Sequence, residues 1–556
     1  MSLSLIHTPF FADIFMLTFI LLFLTVVVSG YTNTPLDDYV WANDDSYGWT
    51  YLGDEHIITG SFSGRGWKGY TLNMTSQRWL TDDDFSENSE AKSLWWHYLV
   101  VVVPDEVKWT RNASLYITGG GQTSGLPEGT SEDVLVTASL ALANNMITGC
   151  LFQIPNEHII FAEDPIQKSR SEDAIIAYTW DHFLKDPSQP NWLVRFPMVK
   201  ASLRAMDTIT AFMKSKFPEL DTQLDYYSVA GASKRGWTTW LVGAVDPSRV
   251  VLIVPIVLDA INFVEFMHHQ YRAYGNFSFA LSDYADMNIM TRVDDPNMVL
   301  LQQMEDPYFY KDRLTMPKLV VNAVLDEFQQ PDDTDYWWSD MPGPKRFLMT
   351  PNAEHSEATG ILEVVPDISQ FIKHYLEDKV VPEFTWDISE STGEITVKLN
   401  EHGLVHEADL YYAYSCGMNT DGVKRRDFRV AMLDNPCPCG FYYEGTCANF
   451  NSTWAKIPLE STVVRGHRTY NAKLDAPGDG RWVAYLIMVT YKNEYLSPDI
   501  DRTSRFIDGS GKIIDKLPPF PHDLLHRLAF TTQVSIWPNT NPYPDCKGEG
   551  CGNGLV

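Results

Sequence analysis

Three residues have the chain order and local context of a serine-hydrolase triad. Ser233 lies in Gly231-Ala-Ser-Lys-Arg-Gly236, between a β-like run and a helix-like stretch. A serine on such a turn projects its hydroxyl above a sheet, and the helix N-terminus behind it favours developing negative charge. Asp326 directly follows a later β-like run, and His355 lies beyond the next one. The order serine, acid, histidine therefore predicts a nucleophile, an orienting carboxylate and a general base.

This arrangement predicts hydrolysis of an ester or peptide bond without a metal or organic cofactor. The serine would attack an acyl carbon, and the histidine would take its proton and return it to the leaving group. The oxyanion would be held by the backbone N–H of Lys234 and by one from the Gly119–Gly121 turn, Gly120 or Gly121. The rival acids are Glu327, Asp332 and Asp333.

The sequence of the turn around Ser233 departs from the usual Gly-x-Ser-x-Gly motif,. Glycine normally stands two residues after the serine, but that position is Arg235 and the glycine comes one later. A structural turn with a capping serine is therefore an alternative. Lys234 and Arg235 could bind an anionic substrate, but pairing with carboxylates such as Asp246 or Asp259 is the interpretation we favour.

The elements around these residues indicate an α/β fold. From about residue 95 to 380, β-like runs alternate with helical stretches, as in a mainly parallel sheet with helices on both faces. An aromatic- and Met-rich insertion at about 262–315 would form a cap over the carboxyl ends of the strands. We therefore expect an α/β-hydrolase fold over residues 31–382. The predicted strands are Ala113 to Thr118, Ile147 to Ile154, Tyr226 to Ala230, Val250 to Ile256, Lys318 to Leu325 and Arg346 to Met349, and the predicted helices begin at Glu172, Pro197, Gly236 and Ile368.

The C-terminal part has a different pattern. Short alternating segments over residues 383–500 predict a small β-sandwich domain, followed by a cysteine-containing tail at 501–556. Six of the seven cysteines lie here and predict up to three disulfides of open connectivity, whereas Cys150 is expected to be a buried free thiol. The six are Cys416, Cys437, Cys439, Cys447, Cys546 and Cys551. Zinc binding by Cys437, Cys439 and Cys447 is disfavoured because no nearby histidine completes a ligand set.

Export is predicted by the N-terminus. An apolar run within residues 1–30 reads as a cleaved signal peptide, with an uncleaved anchor as the alternative. We therefore expect a secreted, extracellular protein without a membrane span after cleavage. Asn-x-Ser/Thr sequons add weak support and mark candidate glycosylation sites at Asn73, Asn112, Asn276 and Asn451,. The net charge of −29 argues against nucleic acid as a partner,.

Several stretches resemble one protein family. The run Gly231-Ala-Ser-Lys-Arg-Gly-Trp-Thr-Thr-Trp240, the segment Glu172-Asp-Ala-Ile-Ile-Ala-Tyr-Thr-Trp180 and Thr34-Pro-Leu-Asp-Asp-Tyr-Val40 are similar to the PhoPQ-activated pathogenicity-related protein family. The resemblance implies an α/β-hydrolase fold in which Arg235 is an ordinary residue of the turn. For eukaryotic members, which include autocrine proliferation repressor proteins, it implies an extracellular signal that represses proliferation or repels cells. A receptor-binding signal is therefore the alternative to catalysis.

Overall fold

The computed structural model describes most of the chain after the predicted leader. The described residues are 32–62, 64–399, 405–416, 424–435, 437–443, 445–449, 452–464, 467–492, 507–508 and 527–556. The predicted signal peptide at 1–30 and the sequon at Asn451 lie outside them.

A large mixed sheet forms the centre of the part of the chain before residue 383. Its first ten strands are β1 Gly48–Tyr51, β2 Ile58–Phe62, β3 Arg65–Arg78, β4 Leu94–Pro104, β5 Asn112–Ile117, β6 Ile147–Leu151, β7 Tyr226–Ala232, β8 Val250–Ile256, β9 Lys318–Ala323 and β10 Lys345–Thr350. The spatial order is β10, β9, β8, β7, β5, β6, β4, β3, β2, with β1 beside β3. Strands β5 to β10 run parallel, and the other neighbours are antiparallel. The predicted α/β class with a mostly parallel sheet is confirmed.

Nine α-helices accompany the strands within the described residues. They are α1 Pro35–Trp41, α2 Glu132–Asn144, α3 Glu172–Lys185, α4 Arg195–Lys216, α5 Lys234–Val245, α6 Phe263–Tyr274, α7 Ser282–Asp286, α8 Pro296–Glu305 and α9 Ile361–Leu376. Helices cover both faces of the sheet. Side chains alternate between these faces along a strand, so one strand contributes to two separate clusters. On β4, Val100 and Val102 pack in a cluster with α2, whereas Leu99 and Val101 belong to the large core on the opposite face.

Register brings the functional turns to one edge of the sheet. Ile117 on β5 pairs with Gly231 on β7, so the Gly119–Gly121 turn and the Ser233 turn leave neighbouring strands side by side. On the other side, Ile256 of β8 pairs with Val321 of β9. The segment that carries Asp326 therefore leaves the same edge, as expected for the carboxyl ends of parallel strands.

The C-terminal part consists of short antiparallel strands. They are β11 Phe384–Ile388, β12 Ile395–Leu399, β13 Val405–Tyr414, β14 Ala431–Met432, β15 Gly440–Tyr443, β16 Thr446–Asn449, β17 Ala455–Pro458, β18 Thr462–Val464, β19 His467–Ala472, β20 Val483–Lys492, β21 Ile507–Asp508, β22 Arg527–Thr531 and β23 Ser535–Trp537. Strand β21 adds to the central sheet beside β2, and the others form three smaller sheets. The sandwich arrangement stays a prediction.

The last described segment packs against the cap. Val556 donates its backbone N–H to the Phe277 carbonyl at 2.9 Å, and Phe277 donates to the Gly554 carbonyl at 3.1 Å. The Gly548 N–H also donates to the Asp294 carboxylate at 2.5 Å. Residues 548–556 therefore hold the outer side of the cap in place.

Three disulfides are formed among the described cysteines. They join Cys416 to Cys439, Cys437 to Cys447, and Cys546 to Cys551, and Cys150 is a buried free thiol. The first two disulfides include Cys437, Cys439 and Cys447, so these sulfurs are not thiolate ligands for zinc,. His268 lies near the third pair, but two sulfurs bonded to each other are not thiolate ligands for a metal.

Candidate active site

Ser233 occupies a tight turn between β7 and α5. Its backbone has φ 56° and ψ −125°, a conformation that a non-glycine residue rarely adopts and that is typical of a strained nucleophile turn,. Its N–H donates to the Ile256 carbonyl at 2.8 Å, which ties the turn to β8. Helix α5 begins at the next residue, so its N-terminal N–H groups surround the serine,.

The unusual glycine spacing follows from the packing of this turn. A Cβ added to Gly236 would lie 2.8 Å from the Ile256 carbonyl oxygen, and one added to Gly231 would lie 2.7 Å from the Arg235 carbonyl oxygen. The crowded position is therefore Gly236, one residue later than in the usual motif. Arg235 has room for a side chain, which points toward the Gly119 turn.

The structure brings the three predicted catalytic residues into one hydrogen-bonded chain. His355 Nε2 lies 2.8 Å from Ser233 Oγ, and His355 Nδ1 lies 2.7 Å from Asp326 Oδ2. Both distances are within hydrogen-bond range for a general base and its orienting acid.

Asp326 is fixed in orientation by the backbone. Its Oδ1 accepts hydrogen bonds from the N–H groups of Phe328 at 2.7 Å and Gln329 at 3.1 Å. The residue is only 2% exposed. Because Oδ1 is held by two donors, Oδ2 is left to face the histidine.

The rival acids contact other groups. Glu327 accepts the backbone N–H of His355 at 3.2 Å. Asp333 accepts from His269 Nδ1 at 2.7 Å, and Asp332 pairs with Arg426. These contacts leave Asp326 as the acid beside the His355 ring.

The electrostatics of the site favour a protonated imidazole. Burial of His355 would by itself lower the pKa of the ring, but the Asp326 carboxylate and its hydrogen bond raise that pKa above the ordinary value,. Stabilisation of the imidazolium is what the acid must provide when the histidine accepts a proton from serine.

Lys234 and Arg235 are paired with carboxylates at the start of α3. Lys234 Nζ lies 2.9 Å from both Glu172 Oε2 and Asp173 Oδ2, and Arg235 bonds to Glu172 Oε1. The favoured interpretation of pairing is therefore supported, but Asp246 and Asp259 are the wrong partners. Asp246 binds Arg249, and Asp259 accepts from the Trp337 indole N–H at 2.5 Å. The adjacent pairs Glu-Asp and Lys-Arg at two helix starts were the available signal in the sequence.

The candidate oxyanion groups lie around the same turn. Lys234 is the first residue of α5, so its N–H belongs to the helix N-terminus that carries no intrahelical acceptor,. Gly120 has φ 118°, a conformation that favours glycine, and Gly121 lies where an added Cβ would be 3.5 Å from the Glu157 carbonyl,. The role of Lys234, Gly120 and Gly121 as oxyanion donors stays a prediction.

A cavity of about 70 Å³ opens at Ser233 and His355. Residues of the insertion after β8, on α6, α7 and α8, line it. Most of its lining is aromatic or aliphatic. Trp180 and Trp237 belong to the lining, and Trp180 stacks on Phe263 of the cap with ring centroids 4.9 Å apart.

The two adjacent histidines of the cap are buried. His268 and His269 are 8% and 2% exposed. His268 Nδ1 lies 2.9 Å from the Asp545 carboxylate, and His269 contacts Asp332 and Asp333. These contacts are structural, and neither histidine is among the residues that line the cavity at Ser233.

The described sequons occupy partly buried positions. Asn73 lies in β3 and Asn112 begins β5, and both are half-buried. A Cβ added to Gly554 would meet the Asn276 side chain, so Asn276 lies against the last described segment. Glycosylation at these three positions stays a prediction.

The comparisons with known proteins agree with the resemblance. The family model described as PhoPQ-activated pathogenicity-related protein matches residues 36–429. The chain belongs to this family. One similar protein is autocrine proliferation repressor protein A of Dictyostelium discoideum. The two sequences are 33% identical over 543 residues, and the alignment covers 96% of this chain and 97% of that protein.

Solved structures similar to this PhoPQ-related chain include two esterases. Acetyl xylan esterase 1 from Thermoanaerobacterium is 12% identical with a TM-score of 0.38, covering 59% of this chain and 91% of its own. An esterase from Pyrobaculum calidifontis is 15% identical with a TM-score of 0.31, covering 50% and 82%. Among the described residues of the PhoPQ-related chain, no helix has the length and apolar character that crossing a membrane requires.

Proposed function

We propose that the protein is a serine hydrolase that cleaves an ester or peptide bond through Ser233, His355 and Asp326. The observation that supports this most is the hydrogen-bonded chain of the three side chains, at 2.8 and 2.7 Å, on a strained turn that opens into a cavity. A structural serine cap does not require a buried histidine and carboxylate aligned behind it.

In the proposed mechanism, Ser233 Oγ attacks the acyl carbon while His355 Nε2 accepts its proton. Asp326 stabilises the imidazolium and fixes the proton on Nδ1 in the resting enzyme. The tetrahedral oxyanion is held by the Lys234 N–H and by Gly120 or Gly121 of the neighbouring turn. His355 then donates its proton to the leaving group, and water hydrolyses the acyl-enzyme by the same steps in reverse.

A fluorophosphonate probe tests the proposal directly. The probe should label the wild type and fail to label Ser233→Ala. A matched control is Ser228→Ala on the same strand, where the lost hydroxyl bonds Ser114 at 2.8 Å and the Ala113 carbonyl at 3.5 Å. Labelling should survive in this control. Absence of labelling in well-folded wild-type protein would refute a reactive serine.

We propose as a second function that the protein is a secreted signal that represses proliferation by binding a cell-surface receptor. The support is the relative named autocrine proliferation repressor protein A, which matches along nearly the whole chain. The three disulfides also suit an oxidising extracellular location,. In this proposal residues 383–500 form a β-sandwich domain appended to the hydrolase domain at 31–382, and the triad is dispensable.

Cell counts separate the two functions. Purified wild type and Ser233→Ala are added to Dictyostelium discoideum cells at equal concentration, with matched circular dichroism spectra as the folding control. Equal repression by both proteins supports receptor binding without catalysis. Repression by the wild type alone supports enzyme action, and repression by neither argues against the signalling proposal.

A further inference from the structure

The cavity at Ser233 is small, and side chains of the cap line part of it. Phe263, Phe266 and Met267 of α6 line one part of it, and Ile289, Val293 and Met298 line another. Val293 and Met298 are 3% and 1% exposed, so they belong to the packed core and not to a mobile surface. The space available to a bound group is therefore set by residues with little freedom to move aside.

The volume limits how many carbon atoms fit. An apolar cavity of about 150 Å³ accommodates benzene, which corresponds to about 25 Å³ per carbon. The cavity at Ser233 measures about 70 Å³. On that scale it holds about three carbon atoms.

The charges at the cavity exclude an ionised acyl group. Lys234 is the cation nearest the serine in the chain, but Glu172 and Asp173 both lie 2.9 Å from its Nζ. Asp173 itself lines the cavity and also accepts a hydrogen bond from Tyr284 at 3.0 Å. Arg195, the other basic side chain that lines the cavity, is paired with Glu305 at 3.4 Å. An anionic group would therefore meet the Asp173 carboxylate, and both basic side chains in the described lining are already paired and cannot compensate for its lost hydration.

We propose that the acyl group transferred to Ser233 is short, uncharged and aliphatic, with about two to four carbons. The inference rests on the proposed hydrolase function and specifies its substrate class. It places the acyl chain under the cap, and the alcohol part of the ester toward the open side of the cavity.

A series of esters with increasing acyl-chain length measures the longest acyl group that the cavity accepts. The full-length protein is assayed with p-nitrophenyl acetate, butyrate, hexanoate and octanoate. We expect kcat/KM to be highest for acetate or butyrate and to fall at least tenfold at octanoate, since one methylene in an apolar pocket changes discrimination by roughly 10-fold or more. Octanoate cleaved as well as butyrate would overturn the proposal.

The substitution Val293→Ala enlarges the cavity by two methyl groups. We expect the kcat/KM ratio of hexanoate to butyrate to rise about tenfold. Val299→Ala is the matched control, because Val299 lies in the same cap but is 48% exposed. An equal ratio in both variants, with both folded, would contradict the assignment of the acyl chain to this cavity.

Charge selectivity is tested with methyl butyrate and monomethyl succinate, followed by acid release in a pH-stat. We expect the butyrate ester to be cleaved at least tenfold faster. Equal rates of cleavage for the two esters would overturn the proposal that an anionic acyl group is excluded from the cavity. Fluorophosphonate labelling without cleavage of any short ester would refute the substrate class while leaving the reactive serine intact, whereas absence of labelling would refute the hydrolase proposal itself.

Discussion

The substitution Asp326→Asn tests the proposed triad most sharply. Oδ1 of Asp326 accepts two backbone N–H groups, so the amide of asparagine must place its oxygen there. Its NH2 group then faces His355 Nδ1, which at present lies 2.7 Å from Oδ2. A donor at this position requires Nδ1 to be the acceptor, and the ring proton moves to Nε2. The nitrogen that faces Ser233 can then no longer accept a proton.

The expected loss is large. In the serine-protease triad the same substitution lowers kcat about 10⁴-fold because the histidine adopts the wrong tautomer. That factor corresponds to about 5 kcal/mol in the activation free energy. The wild type should be active above the raised pKa of His355 and lose activity as the pH falls through it, because the base must be neutral,. Without the carboxylate, burial lowers the pKa of His355, so the acidic limb of the residual activity should move to lower pH.

The assay is kcat/KM for p-nitrophenyl butyrate between pH 5 and 9, with thermal unfolding to verify the fold. Asp367→Asn serves as the control. Burial raises the pKa of the Asp367 carboxyl well above its ordinary value. Asp367 accepts the backbone N–H of Ala529 at 3.1 Å. An amide oxygen can accept the same hydrogen bond, so Asp367→Asn should leave the activity unchanged. Activity of Asp326→Asn within tenfold of the wild type would refute the assignment.

Two further predictions concern the nucleophile turn and the buried histidine. Gly236→Ala should destabilise the fold by about 1–3 kcal/mol, since its Cβ would lie 2.8 Å from the Ile256 carbonyl oxygen,; Gly478→Ala, which meets no atom within 4 Å, should cost less than 1 kcal/mol in urea unfolding,. Burial opposes protonation of His269, but the carboxylates of Asp332 and Asp333 raise the pKa of the His269 ring to about 9. His269 should therefore stabilise the fold below about pH 6.5 by a few kcal/mol and lose this contribution as the pH rises through 9. The melting temperatures of wild type and His269→Gln should converge over that interval, and a constant difference would contradict the reasoning.

Much of the sheet that carries the site could be predicted from the sequence because its strands are short, apolar and separated by turns. Strand β8 matches its prediction over Val250–Ile256. Helix α9 begins at Ile361, seven residues before its predicted start. The prediction placed the start too late because proline usually breaks a helix, whereas Pro366 lies inside this one,.

Strand β3 is not among the strands predicted from the sequence, because some of its buried residues are polar. Ser76 and Gln77 are fully buried, yet they satisfy their hydrogen bonds with His97 and with the Pro197 carbonyl. Apolar alternation cannot reveal such a strand. The Glu172-Asp173 and Lys234-Arg235 pairs show in the sequence that charges of opposite sign are available at two helix starts. They do not show that the two pairs meet, since nothing local in either segment specifies a partner about 60 residues away in the chain.

The contact of residues 548–556 with the cap has a consequence for how the protein is made. Asp294 of the cap is synthesised 254 residues before Gly548, which binds it. The nearby Cys546–Cys551 disulfide belongs to the same segment, and such bonds form in an oxidising compartment,. The cap therefore acquires this contact only after the 254 residues that separate Asp294 from Gly548 have been synthesised.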